Sequence, residues 1–154
     1  MKLSTRAIYG LRALIDLGLH SENDTVSLQS IAARQDISVG YLEQLMSMLK
    51  KAGLVTSSRG AAGGYRLSKP PSEVSVGDVL RVLEGGLEAV KCQGEEGAGA
   101  CSSQTQDGLC QGAELCVAKF VWKRINDSIT DAVDNLMLSE LIEQSRAVQH
   151  LAIE

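Results

Sequence analysis

The sequence predicts a mostly α-helical fold interrupted by one short β-hairpin and followed by a long C-terminal helix. Three observations support this fold class. Apolar residues recur at helical spacing in the first fifty positions and again near the C-terminus. A glycine-rich stretch at residues 60–64 separates two short segments of strand-forming residues. A serine also stands just ahead of each predicted N-terminal helix, where its side chain can cap the backbone.

Three helices are predicted in the first part of the chain. The first begins at Ser4 or the next residue and ends near His20, after which polar residues interrupt the apolar pattern. Ser27 caps a second, short helix, and Ser38 caps a third after a tight link of three residues. Two helices joined by so short a link are typical of a helix-turn-helix, although many other helical pairs share this pattern.

The segment after the third helix indicates a wing. Residues 54–59 and 65–68 are predicted as two strands around the turn at residues 60–64. Arg59 and Arg66 flank the tip, and Gly60 allows the backbone to approach a phosphate or enter a minor groove. A hairpin in this place completes a winged helix-turn-helix, which is a DNA-binding fold. A glycine-rich surface hairpin with two solvated arginines is the alternative.

The charge distribution bears on the same question. The net charge of −4 and the pI of about 5.2 count against a nucleic-acid ligand. Residues 1–81, however, carry a net charge of +3, whereas residues 82–154 carry −7. This asymmetry fits a basic binding face joined to an acidic body, and random scatter of surface charge fits it equally well.

The C-terminal part is predicted to hold a helix capped by Ser75, a loop and two further helices. The loop covers residues 92–116, and a long helix with a continuous apolar seam begins near Glu114. Ser139 starts a last helix that ends near Gln149. The apolar seam needs a partner surface, and we expect a homodimer. The predicted division is a DNA-binding domain at 1–85, a cysteine-rich loop at 86–116 and dimerisation helices at 117–154.

All four cysteines fall within twenty-five residues, in a polar and glycine-rich segment. They are Cys92, Cys101, Cys110 and Cys116. Thiolates are the usual ligands of iron–sulfur clusters and common ligands of zinc. The spacings match neither a zinc ribbon nor a ferredoxin. Cluster or metal binding, disulfide bonds and free thiols therefore all stay open on spacing alone.

Other classes of protein are disfavoured. No apolar stretch approaches the length of a membrane span, and Arg6, Arg12 and Asp16 interrupt the N-terminal pattern in a way that a signal peptide would not tolerate. We therefore expect a cytoplasmic protein. An enzyme with a reactive cysteine is also disfavoured, because His20 and His150 are the only histidines and neither lies in a pairing motif.

The predicted DNA contacts lie on the third helix, on the wing and at the N-terminus. We expect Tyr41 and Gln44 to meet base edges in the major groove, and Arg59 to enter the adjacent minor groove. Glu43 either discriminates between sites or is a solvated carboxylate. The other candidate contacts, chiefly to phosphates, are Lys2, Arg6, Ser38, Lys50, Lys51, Gly60 and Arg66.

Four motifs in this order resemble one family of regulators. They are YLEQL at 41–45, KKAGLV at 50–55, RGAAGGYRLS at 59–68 and SVGDVLRVLEG at 75–85, and the cysteines follow them. The pattern is similar to the IscR/NsrR family of winged-helix regulators. The resemblance implies a transcriptional regulator that binds a pseudo-palindromic operator in double-stranded DNA as a homodimer, commonly with an iron–sulfur sensor.

The cysteine segment is most similar to the IscR branch, which controls genes of iron–sulfur cluster assembly. CQGAELC at 110–116 resembles the last two cluster cysteines and Cys92 resembles the first, which implies Cys92, Cys110 and Cys116 as ligands of a 2Fe–2S cluster. Lys119 stands where such members have a histidine, so Cys101 is a possible fourth ligand. A clusterless regulator of the cysteine-metabolism type and a nitric-oxide sensor are the alternatives.

Overall fold

The computed structural model of the chain describes residues 3–21, 24–89 and 117–151. Within these residues the predicted mostly α-helical fold with a two-stranded wing is confirmed, and a long C-terminal helix is present. The elements are α1 (Thr5–His20), α2 (Leu28–Gln35), α3 (Val39–Lys51), β1 (Val55–Ser58), β2 (Gly64–Leu67), a 3-10 turn (Pro71–Glu73), α4 (Val76–Glu84), α5 (Ala118–Asp134) and α6 (Leu138–Leu151).

The chain divides into two compact units. The larger unit comprises Lys2–Gly86 and Val133–Glu154, and the smaller one lies within Leu87–Ala132. The larger unit thus contains α1 to α4, the hairpin and α6. The division into residues 1–85, 86–116 and 117–154 stays a prediction.

Serine caps determine where four helices begin. The hydroxyl oxygens of Ser4, Ser27, Ser38 and Ser75 each accept a hydrogen bond from the backbone N–H three residues later. At α4 the side chain of Asp78 also accepts from the N–H of Ser75, at 3.4 Å, which completes a capping box. Each cap satisfies a donor that the helix leaves unpaired, so these boundaries follow from the sequence.

The core of the larger unit is aliphatic. Helices α1, α2 and α3 pack on one another, α1 and α3 also pack on α4, and α1 packs on α6. Its most completely buried large side chains include those of Leu14, Leu17, Ile31, Leu42, Leu45, Met46, Leu49, Val55, Val79, Leu83 and Leu138. Burial of each such side chain contributes about 1.5–3 kcal/mol, so the position of α3 is set mainly by this core.

Both strands of the hairpin are shorter at their base than the sequence predicted, and the turn between them is shifted by one residue, to 59–63. Val55 pairs with Leu67, and Ser58 pairs with Gly64, in antiparallel register. Gly64 therefore belongs to the strand. A side chain there would collide with the backbone of Val26, which forms a bridge with Tyr65 on the outer side of β2. Only glycine fits this close approach of two backbones.

The smaller unit presents an apolar surface. In α5, Phe120 is 77% exposed and Val121 is 50% exposed, and Val117 just ahead of the helix is 76% exposed. The side-chain oxygen of Asn126 accepts a hydrogen bond from the N–H of Ala89 at 2.9 Å. None of the helices in the described parts of the chain has the length and apolar character that a membrane crossing requires.

Candidate nucleic-acid interface

Helix α3 has one buried side and one polar, exposed side. Leu42, Leu45, Met46 and Leu49 are buried in the core. Glu43 and Gln44 lie on the opposite side and are exposed. The helix thus offers an amide and a carboxylate to an approaching partner, which is the arrangement that a recognition helix needs.

Tyr41 differs from its predicted place on the exposed face. Its ring meets the ring of Tyr9 edge to face, with the centroids 6.2 Å apart, and the guanidinium of Arg12 stacks over Tyr9. The Tyr41 hydroxyl is buried and has no hydrogen-bond partner among the described residues. In this geometry Tyr41 fixes α3 against α1, and its predicted contact with a base stays a prediction that requires the ring to turn outward.

The wing carries its arginines on the surface. Arg59 and Arg66 are both exposed, and Gly60 has a φ of 114°, a conformation that side-chain-bearing residues rarely adopt. The Nε of Arg66 donates to the hydroxyl of Thr56 on the neighbouring strand at 3.4 Å. The tip therefore combines a cation with a backbone that can approach another molecule closely.

Helix α3 and the hairpin are connected directly. The ammonium of Lys50, at the end of α3, donates to the hydroxyl of Ser57 on β1 at 2.5 Å. Gly53, with a φ of 75°, reverses the chain between the two elements. Lys50 thus contributes positive charge at the junction of α3 and the hairpin.

The wing is also attached to the connection between α1 and α2. The hydroxyl of Thr25 donates to the carbonyl of Ala62 at 2.7 Å. Val26 and Tyr65 exchange two backbone hydrogen bonds, each of 2.8 Å. The hairpin is therefore held on both sides, by α3 through Lys50 and by this connection.

A buried carboxylate orients α2 relative to α1. Asp16 is 3% exposed and accepts from Nη2 of Arg34 at 2.7 Å and from Nε at 2.9 Å. Gln35 donates to the same carboxylate at 3.2 Å. The hydrogen bond to Asp16, aided by charge attraction, raises the pKa of Arg34. A bidentate pair of this kind fixes both distance and angle between the helices.

Neither this ion pair nor the hydrogen bond between Thr25 and Ala62 was predicted from the sequence. One signal for the ion pair was present, because Asp16 falls among the apolar residues of α1, and a carboxylate there needs a partner. Nothing in the sequence pointed to Arg34, since its position on an exposed-looking helix face is ordinary for an arginine.

Several predicted site residues lie outside the described part of the chain. They are Lys2, Cys92, Cys101, Cys110 and Cys116. Among the residues that are described, no group of three or more histidine, cysteine or acidic side chains is placed to hold a metal ion. Of the remaining predicted DNA contacts, Arg6 and Ser38 are exposed at the start of α1 and α3. Lys119, which stands where similar regulators have a histidine, is exposed in the first turn of α5.

The chain is similar to named regulators over nearly all of its length. The regulator IscR of Pectobacterium carotovorum is 38% identical over 148 residues, which cover 96% of this chain and 83% of the relative. IscR of Vibrio vulnificus strain YJ016 is 38% identical over 149 residues, covering 97% and 82%. These relatives are transcriptional regulators, so the expectation that the chain is not an enzyme is confirmed.

Two solved structures share the fold. One is the IscR of T. potens, with a TM-score of 0.73 and 38% identity, covering 97% of this chain and 91% of that one. The other is CymR, the global cysteine regulator of B. subtilis, with a TM-score of 0.73 and 35% identity, covering 94% and 98%. The model of the Rrf2 family, described as an iron-dependent transcriptional regulator, matches residues 3–144. With its winged helix-turn-helix and these relatives, the chain belongs to the Rrf2 family of DNA-binding transcriptional regulators.

Proposed function

We propose that the chain binds a pseudo-palindromic operator as a homodimer, with α3 in the major groove and the wing over the adjacent minor groove. The observation that carries this proposal is the polar outer side of α3, held next to an arginine-bearing hairpin through Lys50 and Ser57. Gln44 is the favoured reader of a base edge, because an amide side chain both donates and accepts. Glu43, next to it, accepts a hydrogen bond from the amino group of a cytosine, or its charge repels phosphates at unfavourable sites.

The phosphate contacts are assigned to exposed cations around this face. Lys50 and Arg66 lie on α3 and β2, and Arg6 lies in the first turn of α1. Each phosphate that they neutralise releases counterions, so affinity should fall steeply with salt. Arg59 at the wing tip is suited to a narrow minor groove, where the negative potential attracts a guanidinium.

The homodimer is supported by the surface of α5. Phe120 and Val121 are large apolar side chains that are at least half exposed in a single chain. Their burial against a second copy would remove this surface from water and give the two-fold symmetry that a palindrome requires.

The experiment begins with selection of bound duplexes from a random pool, followed by fluorescence anisotropy at several salt concentrations. Gln44→Ala should weaken binding to the selected site by roughly 5- to 100-fold and relax its specificity at one position. Lys50→Gln should weaken binding to all sequences and reduce the salt slope by about one unit. Gln149→Ala, an exposed glutamine of α6, is the matched control and should change neither.

The proposal fails if the wild-type protein binds every duplex with one affinity and without salt dependence. It also fails if Gln44→Ala behaves like the Gln149→Ala control. Analytical ultracentrifugation of the protein without DNA measures whether it is a dimer. Phe120→Asp should shift the equilibrium toward the monomer.

We also propose that the regulator senses iron–sulfur or redox status and controls genes of cluster assembly. The chemistry of the donor set fits a 2Fe–2S cluster, because Cys92, Cys110 and Cys116 supply three thiolates and Cys101 is a candidate for the fourth. Lys119 cannot replace the histidine of similar regulators while it is protonated, since an ammonium has no lone pair. A bound cluster would supply a centre whose charge changes on oxidation.

Anaerobic purification tests the cluster without reference to DNA. The wild type should be coloured and contain iron and inorganic sulfide in equal amounts, and Cys110→Ala should lose both. Cys101→Ala tests whether Cys101 is the fourth ligand, because the visible spectrum of this variant differs from that of the wild type only if the thiolate binds the cluster. A colourless wild type without iron would reject the sensor and favour a clusterless regulator, for which the likeness to CymR is the supporting observation.

A further inference from the structure

A cleft of about 550 Å³ lies at the base of the wing, within the larger unit. It is bounded by the end of α1, the segment that leaves β2, the turn at Pro71–Glu73 and the first half of α6. Of the proposed DNA contacts, Arg66 lines this cleft, at its edge. A cleft of this volume is within the range of roughly 300–1,000 Å³ that accommodates small organic ligands.

The floor of the cleft is apolar and closed. Ile142 is 4% exposed, and a side chain at Gly18 would collide with it and touch Leu67. Helix α1, strand β2 and helix α6 therefore meet beneath the cleft without a gap. An apolar part of a ligand that packs on these side chains would be removed from contact with water.

The rim of the cleft is cationic. Arg66, Lys69 and Arg146 line it, and Glu143 is the acidic residue among its lining side chains. Several serines, including Ser68, add hydroxyl donors. Guanidinium and ammonium groups around an apolar floor are suited to a phosphate or carboxylate carried on an apolar body.

From this arrangement we propose that the cleft binds a small organic anion, and that the anion contacts Lys69 and Arg66. The oxyanion lies at the rim and the apolar body covers the floor. Because Arg66 is also a proposed phosphate contact, the bound ligand weakens DNA binding. This second effect rests on the proposed function, whereas binding of the anion does not.

Isothermal titration calorimetry on the full chain tests the site with phenyl phosphate, which joins a phosphate to an apolar ring. Binding should be saturable, with one site per chain, and tighter than that of inorganic phosphate or phenol. Lys69→Gln should weaken it by roughly 3- to 10-fold. Glu143→Gln should tighten it at least about twofold, because it removes a like charge. Lys123→Gln, which makes the same change at an exposed position of α5 outside the cleft, should leave it unchanged.

The proposal is overturned if binding of phenyl phosphate does not saturate, or if Lys69→Gln and Lys123→Gln weaken that binding equally. Duplex binding distinguishes a free anion from the DNA backbone as the source of the phosphate. If Lys69→Gln weakens duplex binding while phenyl phosphate does not bind, the cleft holds a DNA phosphate and the proposal is wrong. If no duplex binds to any variant, the proposed function fails, and saturable binding that depends on Lys69 still supports the anion site.

Discussion

Removal of the ion pair between Asp16 and Arg34 should clearly lower the stability of the larger unit. Arg34→Met keeps the length of the side chain and its helix propensity, but it removes the three donated hydrogen bonds to the carboxylate. Asp16, which is 97% buried in the wild type, then keeps Gln35 as a donor at 3.2 Å and the imidazole of His20 as a neighbour at 3.7 Å.

The magnitude follows from burial. Breaking a fully buried ion pair costs about 3–5 kcal/mol, because one charge is left in a poorly solvating environment. Here the Arg34 side chain is 35% exposed, so the pair is partly screened and water can reach one side of it. We therefore expect a loss of about 2–3 kcal/mol in the free energy of unfolding. For a chain of this size, that corresponds to a fall in Tm of about 4–12 °C.

Urea unfolding followed by circular dichroism measures this loss, at one protein concentration because dimerisation would shift the midpoint. Arg6→Met, an exposed arginine on α1, is the matched control and should change stability by less than about 0.5 kcal/mol. Asp16→Asn added to Arg34→Met should recover part of the loss, since it removes the unpaired charge. A loss no larger than the control's, or a double variant less stable than Arg34→Met, would refute the reasoning.

Three further predictions concern close packing, pH and capping. Gly10→Ala should destabilise by about 1–2 kcal/mol in the same urea assay, because a side chain there collides with buried Leu83, whereas Gly40→Ala, with open space around it, should be neutral or slightly stabilising. The hydrogen bond from Arg81 lowers the pKa of Asp134, so its stabilisation is present above the ordinary value of 3.8 and is lost as pH falls through the lowered value. Asp134→Asn should therefore flatten the acid side of the stability profile, and an unchanged profile would contradict this. Ser38→Ala should lower the free energy of unfolding by about 1 kcal/mol, because it removes the cap of α3. Ser38→Asp should keep the cap but weaken duplex binding, because its charge repels phosphate. Equal DNA affinity of Ser38→Asp and the wild type would show that no phosphate lies near this end of the helix.

The sequence predicted the elements well because their signals are local. A serine hydroxyl satisfies an N–H three residues away, so Ser27 and Ser38 mark helix starts without any knowledge of the fold. The same holds for Gly53, whose positive φ requires no distant partner. The caps therefore placed α2 and α3, and with them the exposed side that carries Gln44.

Features that depend on distant neighbours were not predictable in this way. Tyr41 occupies a position of α3 that helical periodicity assigns to the outer face. Its ring instead packs edge to face against the ring of Tyr9 on α1. The 3-10 turn at Pro71–Glu73 depends similarly on where α6 packs, since the two are in contact. The cysteine ligands stay a prediction from residue type and resemblance, because those residues are outside the described part of the chain.

The attachment of the hairpin to Val26 has a consequence for the entropy of association. With Tyr65 and Val26 bonded through both backbone groups, strand β2 has a second backbone partner near the turn of the hairpin and is already ordered there before any encounter. Conformational freedom is then confined to the few residues around Gly60, so immobilising them on a duplex costs far less than ordering an entire loose ribbon. Arg59, which lies on this short tip, can therefore be substituted without changing the hydrogen bonds that hold the hairpin in place.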